Sequence, residues 1–174
     1  MTDHEGPEPV MVTLRPWEYE AASHVGIRRF TANWSRSDAR HYDRKRMEDD
    51  RTATVASAIC ELAVARAVNR YWHGHVWHVS EHGKWHRALA DVGASIEVRR
   101  VRDASRQDVA VRQTDVGRGV VLVGAYAVPP EFQVVEVWGS ISADEAWEIA
   151  EVRHESYRRV HRRNLHAINP ANCV

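Results

Sequence analysis

The residues best suited to chemistry in this chain are carboxylates in unusual company. Glu61 is the only carboxylate between Arg51 and Ser80, in a segment otherwise dominated by alanine and valine with Ile59 and Leu62. On a helix advancing about 100° per residue, Glu61 shares its stripe with Ser57, Ala58, Val64, Ala65 and Val68. A glutamate on such a face either stays protonated or finds a cation, because an unpaired buried charge is very costly. One reading makes it the partner of a structural arginine, with Arg99 the foremost candidate. The other makes it a metal-binding or catalytic carboxylate set in a pocket.

A second pair follows. Asp91-Val92-Gly93 leads into Ile96-Glu97-Val98-Arg99. Strand side chains alternate, so Ile96 and Val98 take one face while Glu97 and Arg99 take the other, about 6–7 Å apart. Gly93 permits a tight bend between Asp91 and Glu97. An aspartate and a glutamate converging at such a bend can hold one hard divalent cation between oxygens. That cation can place its charge on a phosphate or activate a water.

The elements that must position these groups are legible in outline. Residues 1–13 read as a flexible arm, and 14–174 as one domain. Trp17–Phe30 is helical in pattern, and Asn33–Asp50 reads as an exposed helix with Ser37 and Asp38 as caps. Thr52–Arg70 holds neither Gly nor Pro and is apolar almost all round, which predicts a helix buried against a sheet. Ser95–Arg102, Asp108–Gln113, Val120–Ala127 and Phe132–Gly139 are short, β-branched and separated by turn residues, the pattern of strands. Ser142-Ala143-Asp144-Glu145 is a capping box that opens a helical region towards Asn164. The order predicts an α+β fold with a mixed, mostly antiparallel sheet and flanking helices.

Helical Glu61, then Asp91, then Glu97-Val98-Arg99 on a strand resembles the PD-(D/E)XK nuclease superfamily, in which a helix bearing a glutamate precedes a hairpin whose aspartate and E-x-K triplet bind Mg²⁺. More narrowly, Ala58-Ile59-Cys60-Glu61-Leu62-Ala63, Asp91-Val92-Gly93 and Glu97-Val98-Arg99 resemble small phage-encoded nuclease-like proteins, and the strand pair within Val121–Gly139 fits their layout. The resemblance spans Thr52 to Gly139. It implies a restriction-endonuclease-like core, Mg²⁺ or Mn²⁺ on Asp91 and Glu97, and Glu61 binding the metal directly or through water. It also implies DNA as the substrate, and the host cytoplasm as the setting if the chain is phage-encoded.

Arg99 stands where that family has lysine. A lysine can shed its proton to help activate water; arginine stays charged, though it can stabilise a phosphorane-like transition state. Lys84 is the only lysine near in sequence. Two functions are therefore expected: a Mg²⁺-dependent deoxyribonuclease with Glu61, Asp91, Glu97 and Arg99 as catalytic residues, or an inactive accessory protein on the same scaffold that binds nucleic acid or a host protein. Asp115 ends the following strand, as a turn former or as support for the site.

The remaining features bound these readings. The chain has 174 residues and a formal net charge of zero, so bulk charge makes no case for nucleic acid. The charge is uneven, however: Arg153, Arg158, Arg159, Arg162 and Arg163 crowd the C-terminal region, and the last four could track a phosphate backbone or mark a solvated helix end. Among the basic residues only Lys45 and Lys84 are lysines, so single arginines carry little weight. His73, His75, His78, His82 and His86, with Tyr71, Trp72, Trp77 and Trp85, form a cluster read as core or partner interface, as a DNA-contacting loop or as a zinc site on His82 and His86. Cys60 and Cys173 make no disulfide framework, no apolar run has spanning length, and Met1–Pro9 does not read as a signal peptide, so a cytoplasmic setting is expected.

Overall fold

The structure, a computed structural model, describes residues 6–32, 50–77 and 89–169. The exposed helix expected over Asn33–Asp50 lies outside these apart from Asp50, as do His78, His82, Trp85 and His86 with their zinc reading.

A short strand β1 (Val10–Thr13) leads into α1 (Pro16–Ala32), and α2 (Asp50–Ala67) follows. Then come β2 (Ile96–Arg100), β3 (Asp108–Arg112), β4 (Val121–Ala127) and β5 (Val134–Ser142). The chain continues through α3 (Ala143–Ile149), β6 (Glu151–His154) and β7 (Tyr157–His161). The strands form two sheets, one ordered β1-β5-β4-β2 and the other β3-β7-β6. Every pairing is antiparallel except β2 with β4, so the α+β expectation holds at that level.

Hydrophobic patterning explains the layering. In β4, Val123 and Ala125 face one way and join α1 and α2 through Ala22, Ile59, Ala63 and Val64. Leu122 faces the other way and joins Trp138, Ile141, Val109, Val111 and Val160. The four-stranded sheet thus has the two long helices on one face, and the three-stranded sheet with α3 on the other. Burial on both faces accounts for the near-continuous apolar runs of β4 and β5. α2 lies between α1 and the sheet, which is why apolar residues surround it almost completely. Gly26 makes the helix crossing possible: a Cβ there would lie 2.4 Å from the Cα of Val55.

Two expectations require correction. The end of the supposed arm is strand β1, which pairs with β5 from Val10↔Val137 to Thr13↔Val134. The helical region from Ser142 towards Asn164 stops at Ile149, and the basic tail is the β6–β7 hairpin followed by a 3₁₀ turn at Arg162–Asn164. Of the capping box, the N-cap half is present, with Ser142 accepting from the Glu145 amide, while the Glu145 carboxylate lies against His166. The tail takes strand form because Val160 enters the core and Arg158–His161 pairs with β3. Tertiary pairing outweighs the local charge pattern there. Among the described residues no helix is long and apolar enough to cross a membrane.

Candidate functional site

Three elements bring the carboxylates together. α2 carries Glu61, the turn before β2 carries Asp91, and β2 carries Glu97. The bend is tight: Val92 and Ile96 exchange both backbone hydrogen bonds at 3.1 Å, and Gly93 turns the chain with φ +56°. This folds Asp91 back along β2, where its Oδ2 accepts the Val98 amide at 2.9 Å. The alternation is as predicted, with Ile96 and Val98 on the helix side. Glu97 and Arg99 are buried among charged partners.

Glu61 does find a cation, but it is Arg29 of α1 and not Arg99. The two terminal nitrogens of Arg29 donate to the two carboxylate oxygens at 2.6 and 2.8 Å, and Trp72 Nε1 donates to Oε2 at 3.1 Å. Burial works against the Arg29 charge, yet Glu61 outweighs it and holds the guanidinium above its ordinary range. Arg29 Nε also donates to the His75 carbonyl at 2.6 Å, tying the segment after α2 to the same carboxylate.

Arg99 serves a second constellation. It donates to Asp115 at 2.7 Å and to Glu97 at 3.3 Å, and Arg118 donates to the other oxygen of Glu97 at 2.9 Å. Asp115 is fully buried and also accepts the Arg112 amide at 3.0 Å. Burial opposes its charge, but Arg99 more than compensates and keeps its carboxyl below the ordinary range. It is both the turn former and the support for the site that the sequence left open.

Asp91 differs from the others. Among the described residues it forms no ion pair, and burial together with the charges of Glu61 and Glu97 pushes its carboxyl up to about 8, against the Val98 amide and Arg99. The charges of Glu61 on α2 and Glu97 on β2 thus both act on Asp91. Among the described residues, however, no three His, Cys, Asp or Glu side chains are grouped as a ready metal site.

The basic residues expected to meet nucleic acid are mostly engaged with the protein. The Arg158 guanidinium lies 4.0 Å from the Trp147 ring and donates to that residue's carbonyl. Arg159 pairs with Asp108, and Arg162 lies over Trp138 at 5.0 Å while donating to the Pro7 carbonyl at 3.3 Å. Arg163 remains exposed. Tyr71, His73, His75 and Trp77 form a ladder of rings, with centroids 5.2, 4.8 and 4.6 Å apart in turn. The ladder packs beside Glu61 through Trp72 and Arg29.

Sequence reading missed Arg29 and Arg118, and it placed Trp72 in the aromatic cluster without linking it to Glu61. Trp72 is eleven residues from Glu61, but Arg29 and Glu61 are 32 apart and Arg118 and Glu97 are 21 apart, separations for which no local spacing carries a signal. No family model, curated protein or solved structure matches the chain.

Proposed function

We propose that the chain is a divalent-metal-dependent, nuclease-like protein acting on DNA, built on a restriction-endonuclease-like core. The observation that carries this reading is that Glu61 and Glu97, from two other elements, both act electrostatically on buried Asp91, which forms no ion pair among the described residues. The donor chemistry fits a hard cation, since every group is a carboxylate oxygen. Mg²⁺ commonly takes only one or two carboxylates and completes its shell with water and phosphate, so a ready-made triad is not required. Asp91 and Glu97 would hold the ion, with Glu61 acting through water.

When bound, such an ion neutralises charge on a phosphate and lowers the pKa of a water. The chain's own residues do the rest. Arg99 and Arg118 fix the Glu97 carboxylate, Arg29 and Trp72 fix Glu61, and the Val98 amide orients Asp91. Arg99 remains charged and supplies positive potential rather than a base. A phage or mobile-element origin and a cytoplasmic setting go with this reading.

A second reading has its own support. Arg29 occupies both oxygens of Glu61, two arginines hold Glu97, and Arg99 replaces the lysine, an arrangement suited to a catalytically inactive scaffold that binds nucleic acid or a host protein. Calorimetric titration of Mn²⁺ into the wild type and into Asp91→Ala/Glu97→Ala decides between them. Binding by the wild type alone supports the metal site, and metal-dependent cleavage of a DNA panel then establishes the enzyme. A folded wild type that binds no Mn²⁺ leaves the accessory reading.

A further inference from the structure

The outward face of the three-stranded sheet carries a groove rich in arginine. Register places Arg112 opposite Tyr157, Ala110 opposite Arg159, and Asp108 opposite His161 on one face of β3 and β7, while Val109, Val111 and Val160 point into the core. Around Tyr157 the chain opens a shallow groove of about 440 Å³ lined by Arg106, Asp108, Arg153, Tyr157 and Arg159. The Tyr157 hydroxyl lies within reach of the charges of Arg159, Arg106 and Arg153 together, yet burial keeps its proton in place. It is therefore a hydrogen-bond donor in a groove that Arg106, Arg153 and Arg159 also line, with the Arg159 guanidinium 5.3 Å from the Tyr157 ring centre.

The acids in the groove do not cancel it. Asp108 is taken by Arg159. Glu151 holds Arg153 at 2.8 Å, but those side chains are 64% and 50% exposed, and an ion pair that open is worth little. Arg153 can exchange Glu151 for a phosphate at small cost. Arg106 is exposed and forms no ion pair among the described residues. Arg112, in register with Tyr157, donates its amide to Asp115, which pairs with Arg99 beside Glu97, so β3 leads from the groove to that charged cluster. β3 covers the distance in five residues, about 14 Å between its first and last Cα.

We propose that this face is a nucleic-acid track, in which Arg106, Arg153, Arg112 and the Tyr157 hydroxyl meet successive phosphates of a strand directed towards Asp91 and Glu97. The direction of the track rests on the function proposed above; the binding does not. It shifts the contact surface away from Arg158 and Arg162, whose guanidiniums hold the protein together.

The test is fluorescence anisotropy of labelled 20-mer DNA, single-stranded and duplex, in EDTA, across a salt series. The proteins are wild type, Arg106→Glu/Arg153→Glu and, as a control on an exposed arginine of α1, Arg28→Glu. The double variant should bind on the order of tenfold or more weakly, with the salt slope reduced by about one to two, and Arg28→Glu should match wild type. Unchanged melting temperatures confirm that each variant is folded. Wild-type affinity in the double variant, an equal loss in Arg28→Glu, or no DNA binding by the wild type overturns the track. Because metal is excluded, a wild type that binds through the groove but takes up no Mn²⁺ sinks only the enzymatic reading. Metal-dependent cleavage with an intact groove affinity in the double variant sinks only the track.

Discussion

Arg29 in α1 closes a two-pronged ion pair on Glu61 in α2, with contacts of 2.6 and 2.8 Å across the helix crossing. Glu61 is nearly inaccessible, its side chain 9% exposed, so the pair stands where water does little screening. Removing one partner of a buried pair leaves an uncompensated charge and costs about 3–5 kcal/mol, whereas replacing both with apolar groups is often neutral. Arg29→Ala should therefore lower the unfolding free energy by about that amount in urea titration, and Arg29→Met/Glu61→Leu should recover most of it. A single variant costing under about 1 kcal/mol would show the pair to be a surface contact.

Asp91 should make the protein less stable as pH rises. Its carboxyl titrates near 8 in the folded chain, against an ordinary value of 3.8. Between those values the folded state keeps a proton that the unfolded state has released, so stability falls with increasing pH by up to about 1.4 kcal/mol per unit. The contribution is whole below the unfolded pKa and gone above the folded one. Asp91→Asn keeps an oxygen for the Val98 amide and removes the titration. Urea midpoints at pH 5, 7 and 8.5 should show the variant gaining on wild type at each step, and parallel profiles would refute the assignment. Divalent metal should act in the opposite direction at pH 8.5, stabilising wild type but not the variant, since an ion bound only by the folded state must raise its melting temperature.

How far these groups could be read in advance depended on sequence distance. Alternation placed Glu97 and Arg99 together on one face of β2, and Gly93 marked the bend that turns Asp91 back, because both are rules of local backbone geometry. The apolar stripe also showed that Glu61 must either keep its proton or find a cation. It did not show which cation, since Arg29 arrives through the packing of α1 on α2 and not through any spacing. The tail failed differently: Tyr157–His161 carries alternating as well as helical features, and pairing with β3 decided the outcome.

Arg99 should matter more for folding than its place in a catalytic triplet would suggest. It lies between Asp115 and Glu97, and all three side chains are under 9% exposed. Arg99→Ala leaves Asp115 without its shortest ion pair and Glu97 with Arg118 alone, so a loss of about 3–5 kcal/mol is expected. Arg99→Lys keeps a charge but not the fork that reaches both carboxylates, and should fall between wild type and alanine in the same titration. Equal stability of lysine and arginine at this position would mean that the two-carboxylate geometry contributes nothing.

Gly26 connects the helix crossing to the site. Its missing side chain lets α1 approach Val55, and an added Cβ would meet that residue's Cα at 2.4 Å, its amide nitrogen at 2.8 Å and the Thr54 carbonyl oxygen at 2.9 Å. These are backbone atoms, which have no rotamer to yield, so α1 itself must shift. Helix propensity favours alanine over glycine by about 1 kcal/mol, yet overpacking costs about 1–3 kcal/mol, and the clash should win. Arg29 lies one turn further along α1, so the same displacement should loosen its grip on Glu61. Gly26→Ala should therefore be destabilised in urea, and its loss should be less than additive with Arg29→Ala, because the two act through one contact. Full additivity would show that the helix crossing and the ion pair are independent.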